Sequence, residues 1–212
     1  LIADADDVSS SQFNAAYFQA DFRGTMVYDG RVYDHMLFSN RGEFSTYRSG
    51  KNKWKFKFSR GHEFQARDDY GRKLSEAWDV VNFEACATPW VLLNRGMAGL
   101  GQAVCFKLYD LAGVAALSTS YLQFRVIDGA NESNPADQYD GDLWGLYLLK
   151  EQPDGRFLDR RGLPDGNVYK MLIEGGYDKK NQGPTHPPDN SDIVAFQADY
   201  LAAQTEPWWR TN

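Results

Sequence analysis

The sequence predicts an α+β fold built mainly on an antiparallel β-sheet, and three observations support this fold class. Segments typical of strands cluster together instead of alternating regularly with helices. The pair Asp29-Gly30 separates two runs rich in β-formers, and residues 53–58 alternate strictly between lysine and aromatic side chains. The 212 residues are 42% hydrophobic and 15% aromatic, so the chain has enough apolar material for a sizeable core.

The first elements in chain order are an arm, a hairpin and an amphipathic strand. Residues 1–11 are polar and acidic and predict a loose arm or linker. The run GTMVYDGRVYDHMLF predicts a β-hairpin, because glycine tolerates the positive φ of a type I′ turn. The following run KNKWKFKF predicts a half-buried strand with one cationic face and one aromatic face. The two faces consist of Lys53, Lys55 and Lys57 and of Trp54, Phe56 and Phe58.

The rest of the chain predicts a helix, three strands and a final helix. Apolar residues recur at helical spacing over 94–112, and Gly113 is a suitable C-terminal stop. The runs TSYLQFRVID and LWGLYLLKE predict strands joined by a polar loop, GNVYKMLIE predicts another strand, and a last helix begins at Asp192. The predicted domain limits are an arm over 1–21, a main region over 22–174, a loop or linker over 175–191 and the start of a C-terminal helical region over 192–212.

Charge and composition argue against several classes of protein. The formal net charge is −6, so the chain lacks the basic footprint of a nucleic-acid-binding protein. No run approaches the 18 or so apolar residues of a membrane span, so no membrane partner is predicted. Cys86 and Cys105 are too few for a disulfide framework or a metal site; buried thiols are the preferred prediction, and a single bridge is the alternative. Three histidines make a His-based metal site improbable.

Charged side chains lie at the ends of several predicted strands. Arg41 and Gly42 follow one strand, the pair Lys150-Glu151 ends another, and Lys170 ends a third. Side chains at strand ends often build binding sites, because the loops there present ligands to a rigid sheet. The alternative is ordinary solvation of strand ends, and for the lysine face of residues 53–57 it is protection of an edge strand. No P-loop and no Gly-x-Ser-x-Gly elbow occurs in the sequence.

Four segments, in order, resemble the CotH family of atypical protein kinases, over roughly residues 22–170. The last of them is the most specific. They read DGRVYDHMLFSNRGEFS, KNKWKFKF, NRGMAGLGQAVCFKLYDLAGVAALSTSYLQFRV and DGDLWGLYLLKEQPDGRFLDRRGLPDGNVYK. The resemblance implies the N-terminal portion of a divergent protein-kinase-like fold. It also implies binding of ATP with Mg²⁺ or another divalent cation, and phosphorylation of serines on a protein substrate, which is a spore-coat protein in the best-known members.

The resemblance also implies a set of nucleotide-binding residues. The Arg-Gly-x-x-Ser motif of the family falls on Arg41, Gly42 and Ser45, and its helix-leading arginine falls on Arg95. The lysine-rich strand falls on residues 51–58, where Lys51, Lys53 and Lys55 all stay open as the residue that faces the nucleotide. The predicted site therefore consists of Arg41, Ser45, Lys51, Lys55, Glu151 and Lys170, with no metal ligand and no catalytic residue assigned.

One departure from the family pattern limits the expected activity. The family carries its metal-binding and catalytic carboxylates further along, and no Asp-Asn or Trp-Asp-x-Asp pair of that kind follows Lys170. We therefore expect this chain alone to be inactive, as part of an enzyme that is active in its complete form. The alternatives are a non-catalytic surface or adhesion module, and a carbohydrate-binding module that uses aromatic residues such as Trp208-Trp209. The compartment (secreted, surface or coat-associated) and the oligomeric state are not assigned.

Overall fold

The computed structural model describes residues 1–13, 20–42, 51–87, 97–129, 142–172 and 175–211. The chain forms two compact units, Leu1–Gln152 and Pro153–Asn212. Within its described residues, the first unit contains two helices and a six-stranded antiparallel sheet of strand order β1-β2-β3-β4-β6-β5, so the predicted α+β class is confirmed. Its elements are α1 (Ala5–Phe13), β1 (Phe22–Tyr28), β2 (Arg31–Arg41), β3 (Lys53–Lys57), β4 (Val80–Glu84), α2 (Met97–Leu111), β5 (Thr119–Arg125) and β6 (Leu143–Glu151).

The predicted hairpin joins β1 to β2. Tyr28 pairs with Arg31 across the turn, and the two central residues, Asp29 and Gly30, have φ of 52° and 72°. Two positive φ angles are the signature of a type I′ turn, whose twist matches that of the strands it joins. The prediction from Asp-Gly is confirmed.

The two faces of β3 also follow the prediction. Trp54 and Phe56 are fully buried, and the three lysines of the strand are half-buried on the opposite face. Phe56 packs against Phe83 with ring centroids 4.6 Å apart, and Phe83 meets Phe124 edge-to-face at 5.2 Å. Because full burial of such a side chain stabilises a fold by about 1.5–3 kcal/mol, this aromatic cluster holds the sheet in place. The opposite face of β3 carries the charged side chains.

The N-terminal residues are not the loose arm that their polarity predicted. Residues 5–13 form α1, and Val8 is only 2% exposed in the core. Ile2 forms a bridge to Thr25 of β1 and another to Ile127 just beyond β5. The edge strands β1 and β5 have backbone groups that need hydrogen-bond partners, and this short segment satisfies some of them. It thereby joins the two edges of the curled sheet.

The predicted helix over 94–112 is present as α2, although residues 94–96 lie outside the described part of the chain. It ends before Gly113, whose φ of 78° is the left-handed conformation of a C-terminal stop. The prediction of buried thiols holds for Cys86 and is wrong for Cys105, which is exposed; both thiols are free. Helical spacing of apolar residues does not determine which side of a helix faces the core, and this cysteine lies on the exposed side.

The second unit contains α3 (Gly155–Asp159), β7 (Val168–Met171), β8 (Tyr177–Asn181), α4 (Ser191–Leu201) and α5 (Glu206–Thr211). β7 and β8 pair antiparallel as a separate two-stranded sheet. The expected loop over 175–191 therefore contains a strand, which its glycines and prolines concealed. The last predicted helix starts one residue earlier than Asp192. The domain limits at residues 22, 175 and 192 stay a prediction. None of the helices in the described ranges is long and apolar enough to cross a membrane.

Candidate functional site

The most unusual polar feature of the first unit is the carboxylate of Glu84, which is only 4% exposed. Three cations contact it. Arg41 Nη1 and Lys150 Nζ both donate hydrogen bonds to Oε1, the latter at 2.6 Å, and Lys53 Nζ lies 3.3 Å from Oε2. Among the described residues, three cations contact one carboxylate, so these four side chains together carry two more positive charges than negative ones.

Strand register brings these four residues together. Arg41 at the end of β2 lies opposite Lys53 at the start of β3, and Glu84 at the end of β4 lies opposite Leu148 in β6. Lys150 lies two residues beyond Leu148 and therefore on the same face of the sheet. All four side chains lie on the face opposite the aromatic core, although they come from four different strands.

Glu84 is ionised by its neighbours. Burial raises the pKa of a carboxyl group, but Lys150, Arg41 and Lys53 outweigh that effect and lower the pKa of Glu84 to about 2. Burial likewise lowers the pKa of Lys150, and the nearby carboxylate of Glu84 opposes that change. The cations therefore keep the Glu84 carboxylate ionised, and the carboxylate in turn favours the charged form of Lys150.

Helix α2 explains why the Glu84 cluster is shielded from water. Gln102 on this helix accepts a hydrogen bond from Lys150 Nζ at 3.4 Å, and the side chain of Lys150 is 13% exposed. One turn earlier on the helix, Gly99 lies against Cys86. A Cβ added at residue 99 would lie 2.3 Å from Cys86 Sγ. Only glycine permits this approach. The helix therefore rests directly on the cationic face of the sheet.

Two of the six predicted site residues lie on this cationic face. Arg41 belongs to the Glu84 cluster, and Lys55 lies in the neighbouring row of the sheet, between Ser39 and Asn82. Glu151 does not lie there. It pairs with Val81 on the aromatic face, is 2% exposed, and its Oε2 accepts a hydrogen bond from the backbone N–H of Ser118 at 2.9 Å.

Two of the other predicted residues, Lys51 and Lys170, lie within the described ranges. Lys51 Nζ donates a hydrogen bond to the carbonyl of Leu146 at 2.5 Å and lies 4.3 Å from the centroid of the Tyr147 ring. Burial lowers the pKa of Lys51. Lys170 is an exposed residue of β7 in the second unit. Ser45 and Arg95 lie outside the described residues.

Sequence reasoning missed Glu84. Of the Lys150-Glu151 pair it chose Glu151 as a site residue, whereas Lys150 is the member that contacts Glu84, and the role of Glu151 stays a prediction. The available signal was weak. Glu84 ends the apolar run VVNF, so it is a charge at the end of a buried strand, like the residues that were chosen. The sequence carries no information that places this strand beside β6, since 66 residues separate Glu84 from Lys150.

The first unit has an antiparallel sheet, a helix across the cationic face of that sheet and a buried Lys-carboxylate pair. This arrangement is consistent with a kinase-like domain. The sequence matches the family described as CotH kinase protein over residues 38–204, and the chain belongs to this family. No curated protein matches the chain. Family membership and the α+β sheet therefore agree on a kinase-like class of protein.

The donor set of the Glu84 cluster fits a polyphosphate and not a metal ion. Guanidinium and ammonium groups bind phosphate oxygens, while divalent cations such as Mg²⁺ need several oxygen ligands. Within the described ranges, no group of three or more His, Cys, Asp or Glu side chains is arranged to hold a metal ion.

In the second unit, Trp208 and Trp209 meet edge-to-face at 4.7 Å, so each partly covers the other.

Proposed function

We propose that the chain binds ATP through the Glu84 cluster, as part of a CotH-type kinase that transfers the γ-phosphoryl group to serines of a protein substrate. The observation that carries the proposal is that the four described side chains of this cluster carry two more positive charges than negative ones, in a chain of net charge −6. Such a local excess stabilises phosphate oxygens more strongly under a helix than in open water, because screening is weaker there.

In this proposal, Lys150, Arg41 and Lys53 contact the phosphates and Glu84 positions the three of them. Phosphoryl transfer depends mainly on positioning and on neutralising the charge of the transferred group. The bond between the β,γ-bridging oxygen and the γ-phosphorus breaks, a bond from serine Oγ to that phosphorus forms, and the serine proton passes to solvent water. ADP departs with the electron pair of the broken bond. Mg²⁺, when bound with the nucleotide, would neutralise further phosphate charge.

Lys55 is proposed to contact the nucleotide from the neighbouring row of the same face. For Lys51, Ser45, Glu151 and Lys170 the proposal rests on the family resemblance. Glu151 would act indirectly, by holding the backbone of Ser118 at the start of β5. Lys150 is the most informative residue to substitute, since its side chain is the most buried of the three cations around Glu84.

The test is a titration of the purified chain with Mg-ATP, by calorimetry, for the wild type and for Lys150→Met. Methionine fills a similar volume without the charge, and Glu84 keeps Arg41 and Lys53 as partners. Loss of one charge-assisted contact is expected to weaken ATP binding about 10- to 100-fold. The matched control is Lys107→Met, since Lys107 lies on α2, pairs only locally with Asp110 and has a side chain 66% exposed.

Equal ATP affinities for the two lysine variants would contradict the proposal. Thermal unfolding of both variants by circular dichroism separates loss of binding from loss of folding. Serine transfer is measured separately with the complete form of the enzyme, because this chain alone is expected to be inactive; the assay uses radiolabelled ATP and a serine-containing protein, followed by identification of the labelled residue. Label on threonine or tyrosine instead of serine would overturn the substrate assignment and leave nucleotide binding intact.

A further inference from the structure

A second cationic site lies on the same face of the sheet, away from the Glu84 cluster. It is a cavity of about 550 Å³ lined by Arg23, His35, Leu37, Lys57, Phe58 and Ser59. Three strands contribute to it, and all six residues belong to the first unit. Neither the family match nor the ATP site described above assigns a role to this cavity.

Register places the basic groups of the cavity side by side. Arg23 in β1 lies opposite Leu37 in β2, which in turn lies opposite Lys57 in β3. Neighbouring strands are about 4.8 Å apart, so the backbones of Arg23 and Lys57 are separated by roughly 10 Å with Leu37 between them. Two long cationic side chains at that separation are able to contact one small anion from both sides.

His35 enters the cavity from an irregular backbone. Its φ is 54°, and the β1–β2 register shifts between Gly24 and Met26, which is the signature of a β-bulge. A left-handed conformation is uncommon for a residue other than glycine, and bulges often re-aim a side chain beside a functional site. His35 is exposed, so its ring is available to a ligand as a further hydrogen-bonding group.

One acidic group opposes anion binding in the cavity. Asp21 Oδ2 accepts a hydrogen bond from Lys57 Nζ at 2.5 Å, and both side chains are about one-third exposed. An entering anion must therefore share Lys57 with Asp21. Exposed ion pairs of this kind contribute about 0.2–1 kcal/mol, so a doubly charged phosphate competes effectively for the lysine.

We propose that this cavity binds a phosphoserine of the protein substrate, a residue already phosphorylated, while a nearby serine is presented to the nucleotide. The identity of the ligand rests on the proposed kinase function, because phosphoserine is the product of that reaction. Arg23 and Lys57 contact the phosphate, His35 adds a hydrogen bond, and Leu37 and Phe58 contact the peptide. Lys57 and Lys53 are four residues apart on β3, a distance of about 13 Å that an extended peptide spans in roughly four residues.

The experiment compares three short peptides that differ only at one central residue, which is phosphoserine, serine or glutamate. Binding to the 212-residue chain is measured by calorimetry without nucleotide, for the wild type, Arg23→Gln and Asp21→Asn. We expect the wild type to bind only the phosphoserine peptide with measurable affinity. Arg23→Gln is expected to weaken that affinity about tenfold or more, through loss of a charge-assisted contact.

Asp21→Asn is expected to strengthen phosphoserine binding severalfold, because it removes the carboxylate that competes for Lys57. A variant that merely damages folding would not strengthen binding, so the opposite signs of the two effects identify the site. Arg72→Gln is the matched control, since Arg72 is an exposed arginine whose guanidinium contacts Asp68 and the Tyr70 ring of its own loop. Its phosphoserine affinity should equal that of the wild type.

Equal binding of the serine and phosphoserine peptides would overturn the proposal, and so would an unchanged affinity in Arg23→Gln. Glutamate binding as tight as phosphoserine binding would overturn the assignment to a phosphorylated residue. The ATP titration of Lys150→Met is independent of these measurements. If ATP binding fails and phosphoserine binding persists, the kinase assignment is wrong; if ATP binding persists and phosphoserine binding fails, only the cavity assignment is wrong.

Discussion

Glu84→Gln is the substitution that tests the electrostatic core of the site most directly. The carboxylate is 4% exposed and contacts Arg41, Lys53 and Lys150, so its removal leaves three cations close together. Removing one partner of a buried ion pair typically costs about 3–5 kcal/mol of unfolding free energy. Arg41 and Lys53 are 27% and 35% exposed and gain water when the carboxylate is lost, so we expect about 3 kcal/mol.

The pKa of Glu84 leads independently to a similar magnitude. The pKa falls from 4.5 to about 2 on folding, and by proton linkage this corresponds to roughly 3 kcal/mol of stability. Because the folded-state pKa is the lower one, this stability is fully present above pH 4.5 and is lost as the pH falls toward 2. The wild type should lose the contribution in that range, while Glu84→Gln has none to lose.

The assay is urea denaturation of both proteins at pH 7, 5, 4 and 3. We expect a difference in unfolding free energy of about 3 kcal/mol at pH 7 that shrinks steadily below pH 5. Asp110→Asn is the control, because Asp110 pairs with Lys107 at an exposed site and its loss should cost less than about 1 kcal/mol. A difference that stays constant across this pH range would refute the claim that an ionised carboxylate holds the three cations in place.

Two further predictions concern helix α2. Gly99→Ala is expected to destabilise the fold by about 1–3 kcal/mol, because the new Cβ would meet Cys86 Sγ. The double variant with Cys86→Gly should recover much of that loss, since it removes the sulfur and also relieves the positive φ of 55° at Cys86. Thermal unfolding of the single and double variants measures the recovery. No recovery would show that the contact with Cys86 is not the cause of the destabilisation. In the native protein, a thiol reagent should modify Cys105 rapidly and Cys86 only after denaturation, and rapid modification of Cys86 would contradict its burial.

Local signals predicted the parts of the fold that depend on neighbouring residues. Asp29-Gly30 predicted the first hairpin, because a type I′ turn is set by the two residues in it. Alternation in residues 53–58 predicted which side chains of β3 are buried, because successive side chains of a strand point to opposite faces. The same reasoning failed for residues 1–11, whose polarity concealed a segment held by backbone hydrogen bonds to distant strands.

The candidate site shows where sequence information ends. Lys150 and Glu151 are adjacent, and the family resemblance pointed to Glu151, but only Lys150 lies on the face that carries Glu84. A shift of one residue reverses the face of a side chain, so the choice depends on the register between β4 and β6. That register arises from pairing between segments far apart in the chain, which local pattern does not contain.

Local residue patterns were sufficient to predict the fold class, the turn, the aromatic face of β3 and the presence of cationic side chains at strand ends. Each of these follows from steric preferences and burial of residues close together in the chain. The arrangement of Arg41, Lys53 and Lys150 around Glu84 beneath α2 became visible in the folded chain alone. This is because a buried carboxylate must be paired, and its partners come from three other strands that the antiparallel sheet brings together.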